Sequence, residues 1–279
     1  MGFNWALLRF GPLVKSQIGK KTLYSFSLKI GTIFNFALVG IVLVFYYLFG
    51  NLDLYIFIFL IYLITNFQLE LLKSYYRVVN RNKVYSKITS YQSLSLLIFT
   101  FILSYFLDGL GYALAYVLST ILPFWLFFKR EKAQNLKLDV NRTEYIKYGL
   151  VTGVGMVANQ VMITAGPILA DFYGADPSEI ASLKVSTILS FNLLIIPFLI
   201  MTTDFVYISK NYKNKHLLKS YYFGYVKSVF KLTIIPMLIL FFFNKEIFIL
   251  LFSDKYLDAV SFNLVLLFAV YFSIFLRAP

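Results

Sequence analysis

The stretch "LYIFIFLIYLITNFQLELLKSYYRVVNRNKVYSK" (54–87) decides the class of fold. Its first part, 54–72, is predominantly apolar. At 1.5 Å per residue a helix over it reaches about 28 Å, close to the roughly 30 Å hydrocarbon core of a bilayer. The run then meets Lys73, Arg77, Arg81, Lys83 and Lys87. A helix of membrane length delivered into cations reads as a span that ends at the membrane surface. Its apolar residues are continuous and do not alternate with polar ones, so a barrel strand is set aside.

Seven similar runs flank this one, at 30–49, 90–107, 110–128, 148–170, 180–203, 228–243 and 260–276. The pattern predicts an all-α polytopic membrane protein of about eight transmembrane helices. Composition agrees: 59% of the chain is hydrophobic, 20% aromatic and only 14% charged, with a mean hydropathy of +0.74. A water-soluble domain carries about a quarter charged residues. Short connections, "GNLD" (50–53) and "LDGLG" (107–111), predict antiparallel hairpins.

The charges then set a sidedness. With eight spans, all but three of the 26 Lys and Arg fall on one side, and the exceptions are Lys184, Lys245 and Lys255. The other side holds Asp53, Asp108, Asp171, Asp176, Glu179, Glu246, Asp254 and Asp258. By the positive-inside rule the basic loops are cytoplasmic in a bacterial cytoplasmic membrane, where they meet anionic lipids. The net charge of +13 is thus explained by topology, and no aromatic–basic motif points to nucleic acid. The chain has no cysteine and one histidine, His216, so thiolate chemistry and a histidine metal site are excluded, and no cofactor is expected. P-loop, HExxH and GxSxG motifs are absent, and the loops leave no room for a soluble catalytic domain, so no enzyme is expected.

The longest basic connection, "FKREKAQNLKLDVNRTEYIK" (128–147), divides the spans four and four. It predicts an N-terminal membrane lobe over 1–128, a linker over 129–147 and a C-terminal lobe over 148–279. The short run "IFILLF" (247–252) cannot span and reads as an interfacial segment. The opening "MGFNWALLRFGPLVKSQIGKK" lacks the order of a cleavable signal, and the close at "FLRAP" directly follows a span, so a piece of a longer transporter is expected.

Ionisable groups within spans are the first candidates for function, because a charge at mid-bilayer costs at least ~2.5–3.5 kcal/mol. They are Lys29, Lys184, Lys227 and Lys231 among the cations, and Glu70 and Asp204 among the acids. Each cation either faces a hydrated cavity or snorkels to the interface. Glu70 is either a partner of Lys73 or Arg77, or a cavity residue. Asn159, Gln160 and Thr164, with Asn192, either line the cavity or hydrogen-bond between helices. Pro123, Pro167, Pro197 and Pro236 predict kinks. "GLVTG" (149–153) has the small-xxx-small spacing that lets helices approach closely.

The stretch "GVGMVANQVMITAGPILADFYGADPSEIASLKVSTILSFNLLIIP" (153–197) resembles polysaccharide-biosynthesis flippases, the Wzx-type exporters of the multidrug/oligosaccharidyl-lipid/polysaccharide superfamily. "LELLKSYYRVVNRNKVYSKITSYQSL" (69–94) and "GLGYALAYVLSTILPFWLFFKR" (109–130) look alike as well. "ILLFSDKYLDA" (249–259) is similar to a recurrent element of that family, with Ser253 where glycine is usual. The resemblance implies part of a two-lobed flippase fold that moves an undecaprenyl-diphosphate-linked oligosaccharide across the membrane. For such a cargo the in-span cations Lys29, Lys184, Lys227 and Lys231 are the residues expected to offset the diphosphate charge, with Asn159 and Gln160 expected to contact sugar. Two rivals stand beside it. A drug/cation antiporter of the same superfamily would use Glu70 and Asp204 for ion coupling. A membrane glycan polymerase or ligase would need a large outer loop with catalytic Arg or His.

Overall fold

The computed structural model describes residues 2–50, 53–128 and 140–276, with no side chains for 49, 162–163, 202–203 and 274–276. Every regular element among them is helical. All eight predicted runs lie in helices, apart from short breaks and ends. The described residues contain four helices each long and apolar enough to cross a membrane, or six if each of two bent pairs is one span. Large apolar side chains such as Phe101, Trp125 and Phe172 are largely exposed, a pattern compatible with a membrane surrounding. The chain divides into two compact units, Met1–Met156 and Val157–Pro279. Of the predicted linker, 129–139 lie outside the described residues.

The first unit begins with α1 (Gly2–Phe10), whose Phe3, Ala6, Leu7, Leu8 and Phe10 are buried. α2 (Gln17–Phe49) starts on Ser16, whose hydroxyl accepts from the Gly19 amide at 2.9 Å, a side-chain N-cap. α3 (Leu54–Val78) runs antiparallel to α2: Tyr24 packs on Tyr75 with 4.8 Å between ring centroids, and Gly31 lies against the Phe67 ring. Asn80, at φ 59°, turns the chain from α3 into α4 (Asn82–Phe127), a conformation asparagine tolerates.

α4 is not one rod. As a single helix its 46 residues would measure about 69 Å, twice a bilayer core. Its backbone leaves the helical region at Asp108 (φ 49°, ψ −128°). A Cβ on Gly111 would fall 2.0 Å from the carbonyl oxygen of Leu103, two turns earlier in sequence, so only glycine fits where the chain doubles back. At the far ends of the two arms the Tyr91 and Phe127 rings meet, 5.6 Å between centroids. The turn read from "LDGLG" is therefore present as a helical hairpin. Its second arm runs parallel to α3, joined by Tyr62–Tyr116 ring packing at 5.6 Å, Thr120 donating to Thr65 at 2.8 Å and Tyr76 donating to the Phe127 carbonyl at 3.0 Å.

α5 (Arg142–Phe172) enters beside α1 and α2: the Tyr145 and Ser27 hydroxyls share a hydrogen bond of 2.5 Å. The small-xxx-small pair is used here, because Gly149 and Gly153 meet Gly2, and a Cβ on Gly2 would fall 1.8 Å from the Gly149 carbonyl oxygen. α5 bends by 50° between Val161 and Thr164, one turn ahead of Pro167. Proline has no N–H for the carbonyl four residues back, which frees the backbone at that point.

In the second unit α6 (Pro177–Asn192) and α7 (Ile195–Lys210) meet at 41°. The same cause applies, since Pro197 cannot bond the Leu193 carbonyl, and tight turns (Leu193 amide to Ser190 oxygen, 3.2 Å) replace the helical pattern. α8 (Lys215–Phe242), the short α9 (Asn244–Phe252) and α10 (Ala259–Leu276) complete the unit. Its core gathers Leu193, Tyr225, Val229, Met237, Leu267, Val270 and Tyr271. α6 packs on α10 through Ser182, Ser186 and Ser190, a buried stripe at four-residue spacing.

Candidate functional site

The helix pairings of the first unit place its charges. Because α2 and α3 are antiparallel and the second arm of α4 follows α3, Lys20, Lys73, Arg77, Arg81 and Lys83 gather at one end. Asp53, before α3, and Asp108, at the hairpin turn, mark the opposite end. Lys29 lies at the level of Glu70, as the Tyr24–Tyr75 and Gly31–Phe67 pairings on either side require.

The four lysines share one geometric property. On α2 the buried Leu23, Ser27, Gly31 and Asn35 form a stripe, and Lys29 is two residues from Ser27. At 100° per residue, two residues turn a side chain about 200° away. The same offset separates Lys184 from Ser182 and Ser186 on α6. It also separates Lys227 and Lys231 from Tyr225, Val229 and Thr233 on α8. All four are exposed and point away from the core of their own unit. Among the described residues no ion pair or hydrogen bond engages their ammonium groups. Asn159 and Gln160 are exposed as well, and so is Thr164, whose hydroxyl donates back to the Gln160 carbonyl at 2.9 Å.

The acids behave differently. Glu70 forms an ion pair with Lys73 one turn on, and Lys73 is buried. Arg77, a further turn along, is buried with its guanidinium 3.8 Å from the centroid of the Tyr85 ring, a cation–π contact. Of the two readings of Glu70, a partner for Lys73 is what the geometry gives. Asp204 on α7 accepts a hydrogen bond of 2.7 Å from the Tyr221 hydroxyl on α8, tying those helices together. Tyr221 was not legible as a partner, because nothing in its spacing marks the hydroxyl's target.

Sequence reasoning also missed a buried polar centre of the second unit. Asn263 is fully buried on α10. Its Oδ1 accepts from the Ser190 hydroxyl at 2.7 Å, and its Nδ2 donates to Asn244 Oδ1 at 2.7 Å. Asn244 Nδ2 donates in turn to the Val260 carbonyl at 2.9 Å. This chain fastens α6, α9 and α10 together, and every amide atom it uses has a partner, as a dry site requires. No group of three or more His, Cys, Asp or Glu that could hold a metal exists among the described residues. No family model, curated protein or solved structure matches the chain.

Proposed function

We propose that this chain is a membrane transporter for an anionic, lipid-linked cargo, a polyprenyl-diphosphate-linked oligosaccharide, which it flips across a bacterial cytoplasmic membrane with its basic loops in the cytoplasm. The observation that carries the reading is the division between acids and cations. Glu70 and Asp204, the acids a cation antiporter would use for ion coupling, are held in intra-unit pairs with Lys73 and Tyr221. Lys29, Lys184, Lys227 and Lys231 are exposed on apolar helices, and no ion pair or hydrogen bond engages their ammonium groups among the described residues. A cation on a span is costly unless an anion or water meets it, and a diphosphate supplies that anion. Asn159 and Gln160, exposed on α5, offer amides to sugar hydroxyls. The bends beside Pro167 and Pro197 supply joints for a helix that must change its tilt. The resemblance of 153–197 and 249–259 to polysaccharide flippases points the same way.

The test is flipping of a lipid-linked oligosaccharide in proteoliposomes, read by lectin or glycosidase access to the outer leaflet. Alanine at Lys29, Lys184, Lys227 and Lys231 together is expected to lower the rate at least tenfold, and arginine at the same positions to retain most of it. Undiminished flipping by the quadruple alanine variant would refute the assignment. Proton- or sodium-driven export of a cationic dye that fails with Asp204→Asn would favour the antiporter.

A further inference from the structure

The first unit has a cavity of about 360 Å³ between α3 and the second arm of α4, lined by Tyr55, Ile58, Phe59, Tyr62, Tyr112, Ala113 and Tyr116. That volume is at the lower end of small-ligand sites. Five of the seven lining residues are aromatic, and the rings meet at steep angles: Tyr62 to Tyr116 at 85° and 5.6 Å, Tyr112 to Tyr116 at 73° and 5.1 Å. The Tyr112 and Tyr116 hydroxyls bond each other at 3.0 Å, which leaves ring carbon as the wall.

Charge at this end of the unit has one sign. The sequence holds no Lys or Arg from Ile30 to Leu72 or from Ile88 to Phe128. Exposed Asp53 stands two residues before Tyr55. Exposed Asp108 precedes Gly109, whose Cβ position is 3.1 Å from the Tyr55 hydroxyl. The acids therefore stand beside Tyr55 at one end of the cavity, whose walls are aromatic rings, and the face of such a ring carries the negative centre of its quadrupole. A hydrated lysine-type ammonium would lose water here without hydrogen-bond acceptors in the wall. An alkylated ammonium loses little, because its charge is spread over methyl or methylene groups that pack on rings.

We propose that this cavity is a binding site for an alkylated ammonium group, with the faces of Tyr62, Tyr112 and Tyr116 as the cage and Asp53 and Asp108 as the anionic rim. The proposal uses none of the four lysines and does not rest on the flippase reading. The same chemistry is offered by a free quaternary ammonium ion or by a phosphatidylcholine headgroup.

The experiment is calorimetric titration of the full chain with tetraethylammonium in detergent, using 3,3-dimethylbutan-1-ol, a neutral branched alcohol, as control. The cation is expected to bind and the alcohol not to. Tyr116→Leu removes a ring and is expected to weaken binding roughly 2- to 30-fold, the range of one cation–π contact. Tyr112→Phe and Tyr116→Phe keep the rings and are expected to bind within twofold of the parent. Asp53→Asn with Asp108→Asn tests the rim without touching the cage, and is expected to weaken binding and its salt dependence. Equal binding of the alcohol, or Tyr116→Leu binding like the parent while circular dichroism shows it folded, overturns the proposal. If Tyr116→Leu does not fold, the aspartate pair decides: unchanged affinity and salt dependence overturn it. In nanodiscs, weaker apparent binding in phosphatidylcholine than in phosphatidylethanolamine, which is zwitterionic but carries no N-methyl groups, identifies the headgroup as the native source. Equal binding in both identifies a free ion.

Discussion

Replacing Asn263 by leucine tests whether the buried amide chain of the second unit holds its helices together. Asn263 has no exposed surface and joins Ser190 on α6 to Asn244 on α9 by two hydrogen bonds of 2.7 Å. Leucine is close in volume, so the change removes polarity and leaves little void. Ser190 keeps a second acceptor, the Asn263 backbone carbonyl at 3.2 Å, which survives the substitution. Asn244 Oδ1 does not: it loses the amide that reaches it. An acceptor left dry costs about 1–3 kcal/mol in a protein interior. Polar pairs between membrane helices average only about 0.6 kcal/mol and reach about 1.7, because the separated helices also find partners. The expected loss for Asn263→Leu is therefore about 1–2 kcal/mol. The assay is reversible unfolding in mixed micelles, run as a double-mutant cycle with Asn244→Leu. A coupling of about 0.6–1.7 kcal/mol is expected, so the double variant should be less damaged than the two single losses added. Strict additivity would refute the reasoning, since it would mean that the two amides do not share a bond.

Ser253 sits at φ 69° and ψ 172°, a region open essentially to glycine alone. Ser253→Gly is expected to stabilise the chain by about 1 kcal/mol in the same unfolding assay, after the extra freedom of glycine in the unfolded chain is subtracted. Gly31→Ala places a Cβ 2.0 Å from the tip of the Phe67 ring, and the ring must move. A loss of about 1–3 kcal/mol is expected, partly restored by adding Phe67→Leu, whereas a net gain from helix propensity would contradict the packing. Glu70→Gln strips the anion from buried Lys73. A loss of about 1–2 kcal/mol is expected, less than for a fully buried pair because the Glu70 side chain keeps 32% exposure, and Glu70→Leu with Lys73→Leu is expected to recover most of it.

The features legible in the sequence are those fixed by neighbours along the chain. Apolar runs of membrane length became helices, "LDGLG" became the α4 turn, and Pro167 and Pro197 each stand one turn past a bend. "GLVTG" marked a close approach, although its partner, Gly2, was not visible, since a spacing pattern names one side of a contact only. α1 escaped notice for a similar reason. Nine residues are too few for a periodic signal, and their burial depends on α2, α3 and α5 arriving from elsewhere. The Ser190–Asn263–Asn244 chain links residues scattered over three helices, and their polar character alone reads as loop or cap. For the candidate site, the sequence supplied the lysines and acids but could not sort them. That took the buried stripes, which turn Lys29, Lys184, Lys227 and Lys231 outward, and the partners that hold Glu70 and Asp204 inward.

Sidedness is the claim on which the proposed cargo and its direction of movement depend. The absence of native cysteine makes it directly measurable. Single cysteines at Lys83, Lys213, Asp176 and Asp254 can be challenged with a membrane-impermeant maleimide in intact cells and again after lysis. The account predicts that Asp176→Cys and Asp254→Cys label in intact cells, and that Lys83→Cys and Lys213→Cys label only after the membrane is opened. Labelling of an aspartate position and a lysine position from the same side would contradict it.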